Sequence, residues 1–423
     1  AYSLTDTIEM EKCYSAMYET GMEINSPLLT GAGLSGLGLV AFYKFEIDKS
    51  QTLLNQSQLI LDKTDNLFEK IQVRSHLGVL LMTIGQNNKA IEVFSDAIHM
   101  GKDTPTHKVR KAVAHVQTQL SLLQSLMGKP KEAIVTAKAA QRNAYLLVTK
   151  PASLSYAHVV LAIAEYYSGN FSDAMKCLRN SNRLVENIQN KRAVAFSSII
   201  EARINCIQGR LDTAWELAQK TLNIALKNGL FEFVSEAHCV MGDVYLIITD
   251  YDNAIHEYRL AQKSLEGTHP GINAMYRMGY AIAQSGKVEK GLQIIDEAIE
   301  SANQCGYAVV RLPACYMRGM ILEKMGKVEE ARTIYQNVIT ESDTRGLSML
   351  TYIGSHPQQQ NIIEHTENSL TEVVLTNLIK LDALHPGRWS EVLQNKISQY
   401  NQFPCSLDKE RLIIFLGSLT KPQ

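Results

Sequence analysis

Net charge is nearly absent from this chain: 42 basic and 43 acidic residues leave a formal charge of −1 over 423 residues. No global field therefore draws it to nucleic acid or to an anionic membrane, and no direct nucleic-acid contact is expected through this segment. Long apolar runs are also missing. The richest stretch, Leu34 to Phe45, contains Lys44 and falls short of the ~18 residues a membrane helix requires. With no secretory apolar region at the start, a cytoplasmic protein is expected, and the opening Ala1-Tyr2 without methionine is read as a piece of something larger. The cysteines (Cys13, Cys177, Cys206, Cys239, Cys305, Cys315 and Cys405) are odd in number and lack CxxC spacing. That argues against a disulfide framework and for reduced, mostly buried thiols.

Signatures of chemistry are equally scarce. There is no phosphate loop of the GxxxxGK[ST] type, no GxSxG elbow and no HExxH pair. The histidines form no ligand cluster: His238 and Cys239 are adjacent, and neighbours on a helix point about 100° apart. His107 and His115 read as separate surface or groove residues, while His269 and His385, each followed by Pro-Gly, are turn chemistry. Gly31-Ala-Gly-Leu-Ser-Gly36 matches the dinucleotide fingerprint in letters only. A Ser-Pro turn precedes it instead of a β-strand, and no βαβ pattern follows. A tightly packed, glycine-rich helix is expected there, with no cofactor, no metal and no catalysis.

What is abundant is repetition. Short joints begin at Phe45, Gly85, Gly128, Gly169, Gly209, Thr249, Gly286 and Gly326, spaced 40, 43, 41, 40, 40, 37 and 40 residues apart. Typical are Gly85-Gln-Asn-Asn-Lys-Ala90 and Gly326-Lys-Val-Glu-Glu-Ala331. A glycine can end one helix in the left-handed conformation, polar residues turn the chain, and alanine lets the next helix pack closely. Apolar residues recur at helical spacing on both sides, as with Ile71, Leu77, Leu80, Leu81 and Ile84 before a joint and Ala90, Ile91, Phe94, Ala97 and Ile98 after it. Seven residues before each joint stand Gly38, Gly78, Ser121, Ala162, Ala202, Gly242, Gly279 and Gly319. All are small, which predicts close approach of paired helices at that point.

The Leu77-Gly78…Gly85…Ala90…Phe94…Ala97 and Gly242…Tyr245…Ala254…Tyr258…Ala261 patterns resemble tetratricopeptide (TPR) repeats, with a period of about 40 in place of 34. Gly279 to Ala298 and Arg318 to Ala331 are similar to the long-period TPR sensor arms of STAND-type signalling ATPases, including MalT-like transcription regulators. The resemblance spans roughly 25–345. It implies an all-α, right-handed α-solenoid superhelix that recognises a protein, a peptide or a small inducer. The organisation expected is a capping helix over 1–24, eight repeats over 25–350, and a linker with a short helical cap over 351–423. In the last segment Ser369-Leu-Thr-Glu372 reads as a capping box, with further helices around Trp389–Tyr400 and Leu407–Leu416.

The first helix of each TPR pair lines the concave wall, so positions six, ten and thirteen before each joint extrapolate to the inner face. In the later repeats these yield Tyr156, Phe196, Arg203, Glu236, Asp243, Asn273, Tyr276, Tyr280 and Tyr316, and three before the joint adds Tyr166 and Glu323. Phenols with isolated charges suit a groove that stacks on and hydrogen-bonds a peptide. Individually, each tyrosine reads equally well as inter-helix packing. As a set they point to a concave binding face in the C-terminal half, with Tyr276, Tyr280 and Tyr316 as its test residues. The expected function is a non-enzymatic interaction or sensing domain of a larger regulator; the alternative is a structural adaptor in a stable assembly.

Overall fold

A computed structural model describes residues 4–348 apart from 45, 105, 146–150, 186–190, 264 and 266. The expected linker and cap over 351–423 lie outside the described residues. Within them the chain is helical throughout: α1 Leu4–Glu23, α2 Pro27–Tyr43, α3 Ile47–Leu61, α4 Leu67–Thr83, α5 Asn87–Met100, α6 His107–Leu126, α7 Pro130–Tyr145, α8 Pro151–Tyr167 and α9 Phe171–Val185. Then follow α10 Lys191–Ile207, α11 Leu211–Asn228, α12 Phe231–Ile247, α13 Tyr251–Gln262, α14 His269–Gln284, α15 Val288–Cys305, α16 Ala308–Lys324 and α17 Val328–Arg345. From α2 on, they pair as eight hairpins in a TPR-like solenoid.

Every bend within a hairpin falls on a joint seen in the sequence, and one hydrogen bond explains why. The amide one residue past each joint's first residue returns to a carbonyl five residues back: Glu46 to Ala41, Gln86 to Leu81, Lys129 to Gln124, Asn170 to Glu165, Arg210 to Asn205, Asp250 to Tyr245, Lys287 to Ile282 and Lys327 to Leu322, at 2.8–3.2 Å. This Schellman closure satisfies a terminal carbonyl and requires the residue between to adopt positive φ. Gly85, Gly128, Gly169, Gly209, Gly286 and Gly326 do so at no steric cost, and Thr249 does so at φ 65°.

The small position seven residues earlier has an equally local cause. A Cβ added at Gly242 would lie 2.5 Å from the Tyr258 ring, and one at Gly319 2.7 Å from the Tyr335 ring. At Gly78 it would collide with Phe94. The facing residue stands sixteen positions on in each case, so the small-against-large contact locks the register of the hairpin. Ser121 completes the pattern by donating its hydroxyl to the Ala133 carbonyl at 2.9 Å. The glycines of the G-x-G-x-x-G stretch serve helix packing: a Cβ at Gly33 would meet the Tyr18 backbone of α1 at 2.7 Å, Gly36 lies against the Tyr14 ring, and Gly31 lies against Leu61 of α3.

The first helices of successive hairpins also pack on one another, α2 on α4, α4 on α6, α6 on α8 and so on to α14 on α16. They form an inner wall, with the second helices outside. One superhelical turn closes on itself. Tyr307, after α15, donates its hydroxyl to the Met82 carbonyl at 3.2 Å, and the Asn87 amide group donates to the Cys305 carbonyl. At the end of α17 Arg345 donates to the Met127 carbonyl at 3.3 Å, and past it the Ser348 amide donates to the Tyr167 carbonyl at 2.8 Å. Gly85 and Gly128 admit this approach, since a Cβ there would lie 2.7 Å from Cys305 Sγ and 2.8 Å from Ala308 Cβ. The inner wall therefore surrounds an interior.

Candidate binding interior

The wall built from α8, α10, α12, α14 and α16 holds all eleven residues extrapolated from the repeat, and they divide into groups. Tyr156 and Phe196 are half-buried and meet edge to face with centroids 5.9 Å apart; Phe196 continues onto Phe233 at 4.5 Å. This aromatic row presents apolar surface to the interior while remaining reachable.

Arg203, Glu236, Asp243, Asn273, Tyr276 and Tyr166 come together in a second group, whose charges are satisfied by each other. Arg203 on α10 pairs with Glu236 on α12. Asp243 accepts from Arg277 Nε at 2.9 Å and from the Tyr258 hydroxyl at 2.7 Å. Arg277 also donates to the Asn273 carbonyl at 3.0 Å and stacks over Tyr276 at 4.8 Å. Two ion pairs thus stitch α10 to α12 and α12 to α14. Burial raises the Tyr166 and Tyr276 phenols well above their ordinary range, so both stay neutral hydrogen-bonding groups.

Tyr280, Tyr316 and Glu323 form the third group. Glu323 accepts from the Tyr335 hydroxyl at 2.9 Å, and the Tyr316 and Tyr335 rings lie 5.2 Å apart. Tyr276, Tyr280 and Tyr316 are 1%, 2% and 1% exposed. The structure buries these three in the packing between helices. Of the two readings each tyrosine allowed, inter-helix packing describes them. A Tyr276→Ala, Tyr316→Ala pair would open core cavities, so it does not isolate binding.

Sequence reasoning missed the group nearer the N-terminus. His115 on α6 is exposed to water, yet surrounding protein desolvates it and, with the Lys111 and Arg192 charges, pushes its imidazole down to about 4. His76 on α4 is likewise held at about 4, by desolvation and then by His115; Ser35 on α2 lies 3.0 Å from its Nδ1. Arg192 on α10 pairs with Glu232 at 2.7 Å, sits 5.7 Å above the Phe233 ring, and is close enough to Tyr156 and to Tyr43 for their charges to act on it. His115 is thus exposed on a wall that neighbouring helices crowd. The signal was present in the repeat. His115 occupies the thirteenth position before its joint, as Tyr156, Phe196 and Glu236 do before theirs, and Lys111, Arg192 and Glu232 stand one helical turn earlier.

Among the described residues no group of histidine, cysteine and carboxylate side chains could hold a metal ion. No helix among them is long and apolar enough to cross a membrane. A tetratricopeptide-repeat family profile matches residues 312–343, which covers most of α16 and most of α17. None of the curated proteins matches the chain. Solved structures similar to it include a Rap protein complexed with competence and sporulation factor, 13% identical with TM-score 0.51, covering 78% of this chain and 98% of that one. NprR in complex with its cognate peptide NprX is 11% identical with TM-score 0.52 over 87% and 98% of the two chains. A human IFIT1 dimer with m7Gppp-AAAA is 14% identical with TM-score 0.50 over 93% and 86%. At these identities the likeness is one of fold, a TPR-like helical solenoid.

Proposed function

We propose that this chain is a non-enzymatic TPR-like interaction domain that takes up a peptide, or an extended segment of a protein, in the interior of its closed superhelical turn. The observation that carries this reading is the inner wall around His115, Tyr156, Arg192 and Phe196, where none of the four side chains is fully buried. It offers apolar rings beside polar and charged groups, the combination an extended peptide needs. The peptide bound by NprR in a similar fold supports the same reading. Occupancy of the interior favours one spacing of the inner helices over another, and the seam at Met82, Met127 and Tyr167 is where a change in that spacing would be felt. Such coupling suits the sensor arm of a larger STAND-like signalling or transcription regulator, as the sequence resemblance implies.

The test is selection of random heptapeptides on the full chain, followed by hydrogen–deuterium exchange of the complex. Protection on α6, α8, α10 and α12 is expected. Protection confined to the outer helices α9, α11 and α13, or no selected peptide at all, would overturn the reading.

A further inference from the structure

We infer that the outer surface pairs with a second copy of this chain, the basic face of α7 and α9 meeting the acidic face of α15 on the partner and the reverse contact forming beside it.

Charge that cancels over the whole chain is sorted on its outer helices. Helices α7 and α9 carry six cations, Lys131, Lys138, Arg142, Lys176, Arg179 and Arg183, against two carboxylates, Glu132 and Asp173. Helix α15 carries Glu289, Asp296, Glu297 and Glu300 against Lys290 alone. On α3, α5, α11 and α13 the two signs differ by one at most.

The repeat places both sets on one side of their helices. Lys131, Lys138 and Arg142 stand three, ten and fourteen residues after Gly128, and Glu289, Asp296 and Glu300 take the same three places after Gly286. Arg179 and Arg183 fill the last two of these places after Gly169. Steps of seven and four return to one face of a helix, and all of these residues are exposed. Lys138 and Lys176 both act on the Cys177 thiol, so the stripes of α7 and α9 form one surface. None of the six cations forms an ion pair among the described residues. On α15, Asp296 pairs with Arg318, while Glu289 and Glu300 meet no cation among the described residues. Val135 and Tyr145, 68% and 75% exposed, lie on the α7 stripe and add apolar contact to it.

The seam sets the two faces side by side. The end of α17 meets the start of α7, where a Cβ on Gly346 would lie 2.7 Å from Lys131 Cε. The end of α15 meets the start of α5 through Asn87 and Cys305. The basic face therefore lies on one side of the seam and the acidic face on the other. A two-fold axis along that boundary lays each copy's basic half on its partner's acidic half, so the contact is made twice. Exposed pairs are individually weak and screened by salt, which makes such a dimer reversible. A long nucleic acid or a membrane gains with every further cation, and α5 and α11, flanking the basic face, carry no excess of them. A compact acidic face suits it better.

The experiment is sedimentation velocity of the full chain over a range of concentrations. A dimer is expected at about 50 mM salt and a monomer at about 500 mM. Lys138→Glu with Arg179→Glu, and separately Glu289→Lys with Glu300→Lys, should each weaken dimerisation at least about tenfold at unchanged melting temperature. Mixed in equal amounts, the two variants should dimerise again, since one then carries two acidic faces and the other two basic ones. Lys220→Glu, on α11, should leave dimerisation unchanged. A chain that stays monomeric at low salt would overturn the inference, as it would if residues 349–423 occupied either face. So would equal weakening by Lys220→Glu, failure of the mixed variants to pair, or growth into assemblies larger than a dimer. Dissociation of the dimer by an adenylate decamer that binds the unaltered chain and not the Lys138→Glu, Arg179→Glu variant would reassign the basic face to nucleic acid.

Discussion

The two ends of the inner wall are made by the same repeat and differ in what fills them. Toward the C-terminus, α10, α12 and α14 carry ion pairs, Arg203–Glu236 and Arg277–Asp243, and tyrosines at most a few per cent exposed. Toward the N-terminus, α4, α6 and the start of α10 carry His76, Lys111, His115 and Arg192, none of them fully buried. A helical hairpin repeat fixes where side chains point and leaves open whether they meet each other or a ligand. Polar residues on a concave wall are thus no guide to binding until their partners are known. Here the wall that looks richer in the sequence is stitched to itself, and the plainer one is open.

The strongest way to break this comparison is to remove a charge from each end. Asp243→Ala strands Arg277 and the Tyr258 hydroxyl, and should cost about 3–5 kcal/mol by denaturant or thermal unfolding. Arg192→Gln breaks an ion pair whose side chains are 40% and 33% exposed and should cost less, no more than about 1 kcal/mol. Equal losses at the two sites would erase the distinction. The joints, by contrast, should behave alike at both ends. Gly78→Ala and Gly242→Ala each drive a methyl group into a ring, Phe94 or Tyr258, and each should lower stability by about 1–3 kcal/mol. A neutral result at either would show that the small position does not set the hairpin register there.

Acid sharpens the comparison further. His76 and His115 are held near 4 and His269 near 3, against an ordinary value of about 6.5. The folded-state values are depressed, so the unfolded chain binds protons that the folded chain refuses. Stability should fall as pH drops from about 6.5 toward about 4, measured by melting temperature across that window. His269 is buried against Tyr307 with ring centroids 5.0 Å apart. The smallest effect expected is at the seam: Tyr307→Phe removes the hydrogen bond to the Met82 carbonyl and should cost about 1 kcal/mol. A cost near zero would mean the turn stays closed without it.

The hairpins were legible because their causes are local. A Schellman bend needs a residue tolerant of positive φ, and the contact sixteen residues apart needs a side chain that is missing or nearly so. Both leave marks such as Gly78, Gly85 and Ala90 at fixed spacing. The contents of the wall were legible only in part. Extrapolating three positions found the inner helices' faces, but Tyr276 and Tyr316 sit where neighbouring helices meet, and spacing alone does not separate that line from the open one. The closure of the turn left no sequence signal. Its acceptors are the main-chain carbonyls of Met82, Met127, Tyr167 and Cys305, which any residue can supply.

One measurement bears most directly on the interior as the working surface: photo-crosslinking of a selected peptide carrying benzoylphenylalanine, with the attachment sites mapped by mass spectrometry. The account predicts attachment to α6, α8 and α10 near His115, Tyr156 and Phe196. Attachment to the outer helices α9, α11 or α13 would contradict it.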